Sequence, residues 1–475
     1  MPPPARLIPA LWLAALAVCI FPGAGVERAA AEPPLALSIV DASYLSGDAT
    51  ARTNAFTRSV TAGADSVTIL AVWRSIATAE PTDPSDPTDP AYNWARLDAA
   101  VREAAASGLK VQLLLNSAPD FAEGSGRPAP SLARPGTWKP SPSALGEFAT
   151  ALAGRFSGSF DPGGGSLPAV RVFHLWAEPN LATYLTPQFE DGESFAPGQY
   201  RRMLNAFYAG IKSAQPTARV VAGGTAPYGD TTHSRFSRTQ PALWWRTMLC
   251  LKEGARGARL QTTSCPDPAR FDIAAHHPIN IGAPARHALN HDDISTPDIG
   301  KLARILSRAK QTGRALPKRN KPIWATEIWW DSKPPDPNGL PLAKHARYLE
   351  EALSVLWRQG VSQVSWFQIS DPDTTAFSTT QQSGLFNLAG TAKPALRAYR
   401  FPFVADRKGR RRIGLWLRAP APGRVILEQL RDGDWRQLRS FQVGPSRILA
   451  TSLKTSKNPT LRVSSAGETS LPDQP

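Results

Sequence analysis

The chain has 475 residues, with 54 Lys and Arg against 39 Asp and Glu, a formal net charge of +15. That length suits one large domain plus a smaller one and is ample for a sizeable hydrophobic core. The basic excess gathers at 310–321 and 407–412, neither with the interleaved aromatics that a single-strand nucleic-acid groove needs, so nucleic acid is not an expected partner. Solvated surface charge is the plain reading, and an anionic polysaccharide or cell-wall polymer the sharper one.

In chain order, the first 31 residues read as an export signal. Arg6 gives a positive start, residues 7–26 carry no charge, and Ala29-Ala30-Ala31 fits a small-residue cleavage site. A secreted, extracellular protein is therefore expected, with an uncleaved membrane anchor as the alternative. No later segment is long and apolar enough to span a bilayer. After cleavage two cysteines remain, Cys250 and Cys265. In an oxidising compartment they are expected to form one disulfide, with two free thiols as the alternative.

From residue 32 to 400, strand-like apolar runs alternate with amphipathic helical segments. Eight strands are expected at 35–41, 66–73, 109–116, 170–177, 218–223, 271–277, 321–327 and 362–369. Helices are expected at 94–107, 142–157, 197–214, 298–312 and 341–359. In the first of these, Trp94, Leu97, Val101 and Ala104 recur at helical spacing before Gly108 ends it. The pattern predicts an α/β fold, a (β/α)8 TIM barrel. An open dinucleotide-binding sheet is disfavoured, because strand one is not followed by a glycine-rich turn. Three long loops, at 80–90, 119–141 and 228–240, suggest a shaped cleft. Residues 401–465 change character, with short strands between Pro-Gly and Asp-Gly turns, and predict a small C-terminal β domain. Residues 466–475 are polar and expected to be disordered.

Two glutamates stand out. Glu178 closes the run Val-Arg-Val-Phe-His-Leu-Trp-Ala-Glu-Pro-Asn at 170–180, and Glu327 closes Lys-Pro-Ile-Trp-Ala-Thr-Glu at 321–327. Carboxylates at the C-terminal tips of barrel strands four and seven sit where that fold carries its chemistry. Glycoside hydrolysis needs such a pair: one acid to protonate the leaving oxygen, one ionised carboxylate to attack carbon or activate water. Strict alternation along the second run would point Ile323, Ala325 and Glu327 into the barrel and Trp324 and Thr326 at the helices. An indole beside Glu178 would raise its pKa, as a general acid requires.

The motif Trp176-Ala177-Glu178-Pro179-Asn180 resembles the strand-four acid/base motif of clan A glycoside hydrolases. Thr326-Glu327, with Trp329-Trp330-Asp331-Ser332, resembles the strand-seven nucleophile motif of the same clan, with family 39-like and family 5-like members the nearest in kind. Tyr92-Asn93-Trp94, His276-His277-Pro278, Trp366-Phe367, Gly384-Leu385-Phe386 and Lys393-Pro394-Ala395 add weaker matches. The resemblance spans about residues 35–400. It implies a retaining glycoside hydrolase with Glu178 as acid/base and Glu327 as nucleophile. One departure is Ala177, where such enzymes carry an asparagine that binds the sugar 2-hydroxyl. Either another group, such as Asn180 or Asn116, takes over that contact, or the substrate lacks an ordinary 2-hydroxyl contact, or activity is reduced. Candidate substrate-binding residues are Trp73, Asn116, Trp176, Asn180, His277, Trp329 and Trp366, with Trp366 the leading stacking platform. Arg74 is a candidate to orient a glutamate.

No cofactor is expected. Metal binding finds little support, since adjacent His276 and His277 would diverge along a strand and no spaced His/Cys/Asp cluster joins them. A Gly-x-Ser-x-Gly elbow is absent too. A carbohydrate is the expected partner. Ala177 leaves open a catalytically inactive carbohydrate-binding barrel at the cell wall, and the β domain with its basic clusters leaves open a wall-attachment role.

Overall fold

The computed structural model describes residues 27–28, 30–255, 259–374, 376–377 and 380–475. Most of the expected export segment lies outside the described residues. No helix among the described residues is long and apolar enough to cross a membrane.

Eight parallel strands close into a barrel: β1 (Ala36–Val40), β2 (Ser66–Val72), β3 (Lys110–Asn116), β4 (Val172–Leu175), β5 (Arg219–Thr225), β6 (Ile273–His276), β7 (Ile323–Ile328) and β8 (Val361–Phe367). Neighbours in the barrel are neighbours in sequence, and β8 closes on β1. Each of the eight expected strands is present. A helix follows each strand: α1 (Ala49–Ala62), α2 (Ala95–Ala106), α3 (Pro142–Arg155), α4 (Ala196–Ala214), α5 (Pro241–Met248), α6 (Ile299–Gln311), α7 (Leu342–Arg358) and α8 (Pro394–Arg400).

Local chemistry sets the helix ends. The Asp48 side chain accepts from Thr50 N to cap α1, and Gly63 ends it in the left-handed region. Ser141 caps α3, with Pro142 in its first turn. The helices α3 and α4 meet so closely that a Cβ on Gly210 would lie 2.1 Å from the Gly146 carbonyl oxygen and 2.9 Å from the Ala149 methyl.

One large core fills the space between strands and helices. It takes Leu37, Ile39, Val67, Ile69, Leu113, Leu115, Phe173 and Leu175 from the outer strand faces. The barrel interior is small and mixed. Val221, Ile273, Ala275 and Trp324 form an apolar cluster there. Beside it His174 Nε2 meets Gln112 Oε1 at 2.8 Å, and Gln112 Nε2 donates to Gln363 Oε1 at 2.9 Å and Ser66 Oγ at 3.0 Å. Trp324 and Thr326 therefore face inward, whereas Ile323 and Ala325 pack against the helices, the reverse of the alternation expected.

The 80–90 segment is folded, not a loose decoration. Tyr92 Oη donates to the Pro84 carbonyl at 2.7 Å, Trp94 Nε1 to that of Pro87 at 3.0 Å, and Arg155 Nη1 also to Pro87.

The C-terminal strands are β9 (Phe403–Arg407), β10 (Arg412–Arg418), β11 (Gly423–Arg431), β12 (Asp434–Val443), β13 (Ile448–Lys454), β14 (Leu461–Ser465) and β15 (Glu468–Thr469). They form one three-stranded sheet, β9-β10-β13, and a second sheet that runs β12-β11-β14-β15 with Glu27–Arg28 along the β12 edge. Their facing sides make a separate core with Phe403, Leu415, Leu427, Phe441 and Val463. The last ten residues are ordered, against expectation. Asp473 Oδ2 accepts from Ala405 N at 2.6 Å and pairs with Arg347 at 2.7 Å, while β15 pairs with β14. A polar tail is held because its one buried carboxylate finds two donors.

The β domain is fastened at the N-terminal end of the barrel. Asp65, just before β2, accepts from fully buried Arg418 at 2.7 Å, from Arg447 at 2.6 Å and from Leu37 N at 2.8 Å. Arg418 Nε also donates to the Leu35 carbonyl at 2.9 Å. Cys250 and Cys265 are joined by a disulfide, with their Cα atoms 5.7 Å apart.

Replacing Gly210 with Ala should destabilise the protein by about 1–3 kcal/mol, the usual cost of overpacking. Chemical denaturation checks this. Gly198→Ala, in the same helix with only the tip of Arg202 4.0 Å from its Cβ position, is the uncrowded control.

Candidate active site

The C-terminal rim of the barrel is irregular where it carries the site, and the irregularities aim the side chains. Between β6 and β5 the register steps from Ala275↔Gly223 to His276↔Thr225, so Gly224 is an extra residue. Between β7 and β8 it steps from Ala325↔Val364 to Ile328↔Trp366, leaving Thr326 and Glu327 on one added residue. A bulge re-aims side chains at a barrel rim. Here it turns both Thr326 and Glu327 into the same cavity. At the end of β4 the chain leaves the strand through two left-handed residues, Trp176 (φ 61) and Glu178 (φ 46). Backbone bonds hold this bend: Trp176 N donates to the Leu115 carbonyl at 2.8 Å, and Glu178 N to that of Gly224 at 2.9 Å.

Glu178, His277 and Glu327 converge. Their ligand atoms, one carboxylate oxygen from each Glu and a His277 ring nitrogen, all lie within 4.8 Å of one another. His277 Nδ1 is 3.1 Å from Glu178 Oε1 and 3.7 Å from Glu327 Oε2. Trp329 Nε1 donates to the other oxygen, Glu327 Oε1, at 3.2 Å. The cavity below is walled by Trp176, Ala177, His174, Thr68, Gly223 and Thr326.

The charges in this cluster are interdependent. Burial pushes the Glu327 carboxyl up to about 7, and the Glu178 charge adds to that, while His277 and the Trp329 N–H pull the other way. His277 is itself raised: burial opposes its charging, but the two carboxylates together outweigh burial. His174, buried below, is pushed down to about 3 by burial and by His277, so it stays neutral. The raised Glu327 carboxyl therefore holds its proton into the neutral range.

The other candidates divide. Trp176 lines the cavity wall but is buried, its Nε1 donating to the Tyr184 carbonyl at 2.7 Å. Trp329 is half-buried at Glu327 and is the candidate tryptophan with ring surface left to offer. Trp366, expected as the platform, is fully buried, with its Nε1 on the Ser383 carbonyl and its ring against Trp330 and His345. Trp73 is buried too, stacked on Phe148 at 5.3 Å. A ring sealed in core has no face for a sugar. Asn180 is fully buried and spent on the backbone: it donates to the Ala226 and Thr239 carbonyls and accepts from Ala226 N. Asn116 accepts from Ser117 N and so caps its own turn. Asn180 therefore does not substitute for the amide missing at Ala177. Arg74 reaches Asp120 at 3.5 Å, not a glutamate. His276 is structural, held by Thr225 Oγ1 and the Ile294 carbonyl, both at 2.8 Å.

Tyr184 was not anticipated. It is half-buried, and burial together with the negative charge of Glu178 and then Glu327 lifts its phenol to about 12. It is thus a permanent O–H donor in the field of the pair. Its position six residues beyond Glu178, in the turn after Pro179-Asn180, was the available signal.

The Glu178, His277 and Glu327 donor set resembles a carboxylate–imidazole metal site in composition. However, His277 Nδ1 is already engaged with both carboxylates, and the pair's proton competes with a cation.

No protein-family model matches the sequence, and no curated protein does. Solved structures match in fold. A family 39 glycoside hydrolase from the gut symbiont Bacteroides cellulosilyticus WH2 superposes with a TM-score of 0.54 at 16% identity, over 89% of this chain and 81% of that one. A GH39 β-xylosidase from Caulobacter crescentus gives 0.51 at 17%, over 92% and 97%. The GH39 enzyme from Xanthomonas axonopodis pv. citri gives 0.51 at 15%, over 93% and 97%. At these identities the likeness establishes the fold: a (β/α)8 barrel with an added β domain, as the sequence pattern predicted.

The raised Glu327 carboxyl makes a stability prediction. Its folded value, about 7, lies above the ordinary 4.5. Its penalty is therefore absent at pH 4 and grows as pH rises to about 7, because the folded state resists losing that proton. Glu327→Gln should melt increasingly above the parent between pH 4.5 and 7, by about 1–3 kcal/mol at the plateau. Thermal denaturation across that range measures the gap, and a gap that stays constant would contradict the raised Glu327 carboxyl.

Proposed function

We propose that the protein is a retaining glycoside hydrolase that cleaves O-glycosidic bonds of a poly- or oligosaccharide by double displacement. The observation that carries this is the approach of the Glu178 and Glu327 carboxylates to within 4.8 Å. Retaining enzymes hold their two carboxyl groups about 5 Å apart, whereas inverting ones leave room for a water between them. Glu178 protonates the leaving oxygen and later deprotonates the incoming water. Glu327 attacks the anomeric carbon, forming a glycosyl ester that water then hydrolyses. The pair starts with one proton and ends with one, so the cycle closes.

His277 orients both acids from Nδ1 and, by charging, favours the ionised Glu327 that attack requires. Trp329 Nε1 fixes the remaining oxygen of Glu327. Tyr184 supplies the polar O–H near the pair that Ala177 cannot. The likeness in fold to family 39 glycoside hydrolases agrees with this reading. So do the strand-four and strand-seven motifs.

The reading extends to place and partner. An apolar, uncharged N-terminal segment and the Cys250–Cys265 disulfide support export to an oxidising compartment. The net charge of +15 supports an anionic or cell-wall polysaccharide as the polymer encountered.

A second reading is favoured by Ala177, and by Asn180 being spent on the backbone: a barrel that binds sugars without cleaving them. A 2-fluoro glycoside bearing a good leaving group separates the two. The enzyme reading expects a covalent adduct on Glu327 by peptide mass spectrometry. It also expects activity to fall by about 10⁴-fold or more in Glu327→Gln. Binding with no adduct on any of a panel of such glycosides would support the inactive barrel.

A further inference from the structure

The strands β9 and β10 are joined by the turn 408–411, and β10 pairs antiparallel with β13. That register sets Arg412 directly opposite Lys454. Opposed like charges destabilise a sheet, so the arrangement has a cost. The surroundings do not relieve it. Lys408, Arg410, Arg411 and Lys457 crowd the same edge, all exposed. Among the described residues one carboxylate comes within 4 Å of any of these six cations: Asp406, 3.8 Å from Lys408 Nζ. Asp406 is already held by Arg358 at 2.8 Å.

The cations line a track. A concavity bounded by Lys408, Arg411, Arg412 and Lys454, with the hydroxyls of Thr455 and Ser456, occupies its centre. It shares Lys408 with a groove along Gly414–Trp416 on one side, and Lys454 and Thr455 with a cleft toward Arg431 on the other. Trp416 is fully buried, so the groove offers no aromatic face on which a base could stack.

We propose that this track binds a polyanionic polysaccharide, a chain of uronate or comparable acidic sugars. An extended polymer with regularly spaced carboxylates matches a continuous, shallow row of unpaired cations with hydroxyls between them. The choice of a polysaccharide over other polyanions rests on the glycoside hydrolase reading above. The β domain is anchored through Asp65 at the N-terminal end of β2, whereas Glu178 and Glu327 occupy the opposite rim. The track therefore tethers the protein to a charged matrix and takes no part in bond cleavage.

The test uses the full chain on immobilised polygalacturonate and on alginate. Neutral dextran, duplex DNA and phosphatidylglycerol vesicles serve as parallel arms. Binding to the two acidic polysaccharides should weaken by about tenfold or more as salt rises from about 50 to about 500 mM, as screening requires. It should fall by about tenfold or more in Arg411→Glu/Lys454→Glu. Lys454→Glu alone puts a carboxylate opposite Arg412, so its melting temperature should match or exceed the parent's, which separates lost binding from lost folding. Labelling of Glu327 by the fluoro glycoside should be unchanged in both variants.

Polysaccharide binding that survives the substitutions within twofold would overturn the proposal. So would tighter binding to DNA or to vesicles than to either acidic polysaccharide. Failure of the tether with Glu327 still labelled would leave the catalytic reading standing, and a tether without labelling would do the reverse.

Discussion

The site is organised by one electrostatic constraint: two carboxylates held close together around a single imidazole, mostly out of water. Either acid alone at a strand tip would ionise and be solvated. Brought within 4.8 Å and partly buried, they cannot both carry full charge without help, and His277 supplies that help from 3.1 and 3.7 Å. The lower layers of the barrel protect the balance. His174 is kept neutral, so no second cation stabilises the doubly ionised pair, and Gln112 satisfies its ring nitrogen from below. A proton is thus retained near neutral pH without any group outside the cluster.

Much of this was legible in the sequence because it is written in periodicity. All eight barrel strands and five of the eight helices follow from apolar spacing. The three helices not anticipated have local reasons. In α1, Asn, Thr, Arg and Ser interrupt the apolar stripe; α5 and α8 are only about two turns long. The two glutamates were recognisable because a charged residue closing an apolar run is costly without a purpose. Which way each side chain points was not legible. Alternation alone sends Glu327 inward together with Ile323 and Ala325. In the structure those two pack outward, and an extra residue at the rim turns Glu327 in. A bulge leaves no signature in hydrophobic pattern, since it is decided by the partner strand's register.

The same blindness explains the tryptophans and asparagines. Composition marks an aromatic as a potential sugar platform, but only depth separates platform from core. Trp73 and Trp366 sit beneath the rim, facing Phe148 and the Trp330–His345 layer, and among the candidate tryptophans Trp329 keeps part of its ring free beside a Glu327 oxygen. Asn180 lies two residues past Glu178 yet serves the backbone. With Ala226 and Thr239 it ties the loop after β4 to the loop after β5. That tie, two residues past Glu178, helps to fix the bend that carries it.

Strain at that bend fits the same logic. Left-handed backbone at Trp176 and at Glu178 costs on the order of 1 kcal/mol or more each for residues with a Cβ. The bend persists because both its amides are paired to neighbouring strands, Trp176 N to Leu115 and Glu178 N to Gly224. Gly224 can offer its carbonyl there only because its own φ of 64° suits glycine and because a Cβ would press to 3.2 Å from His277 Nε2. One glycine in the β5 bulge therefore sets the position of the acid and leaves space for the imidazole that balances both carboxylates. Substitution at Gly224 would displace the two at once.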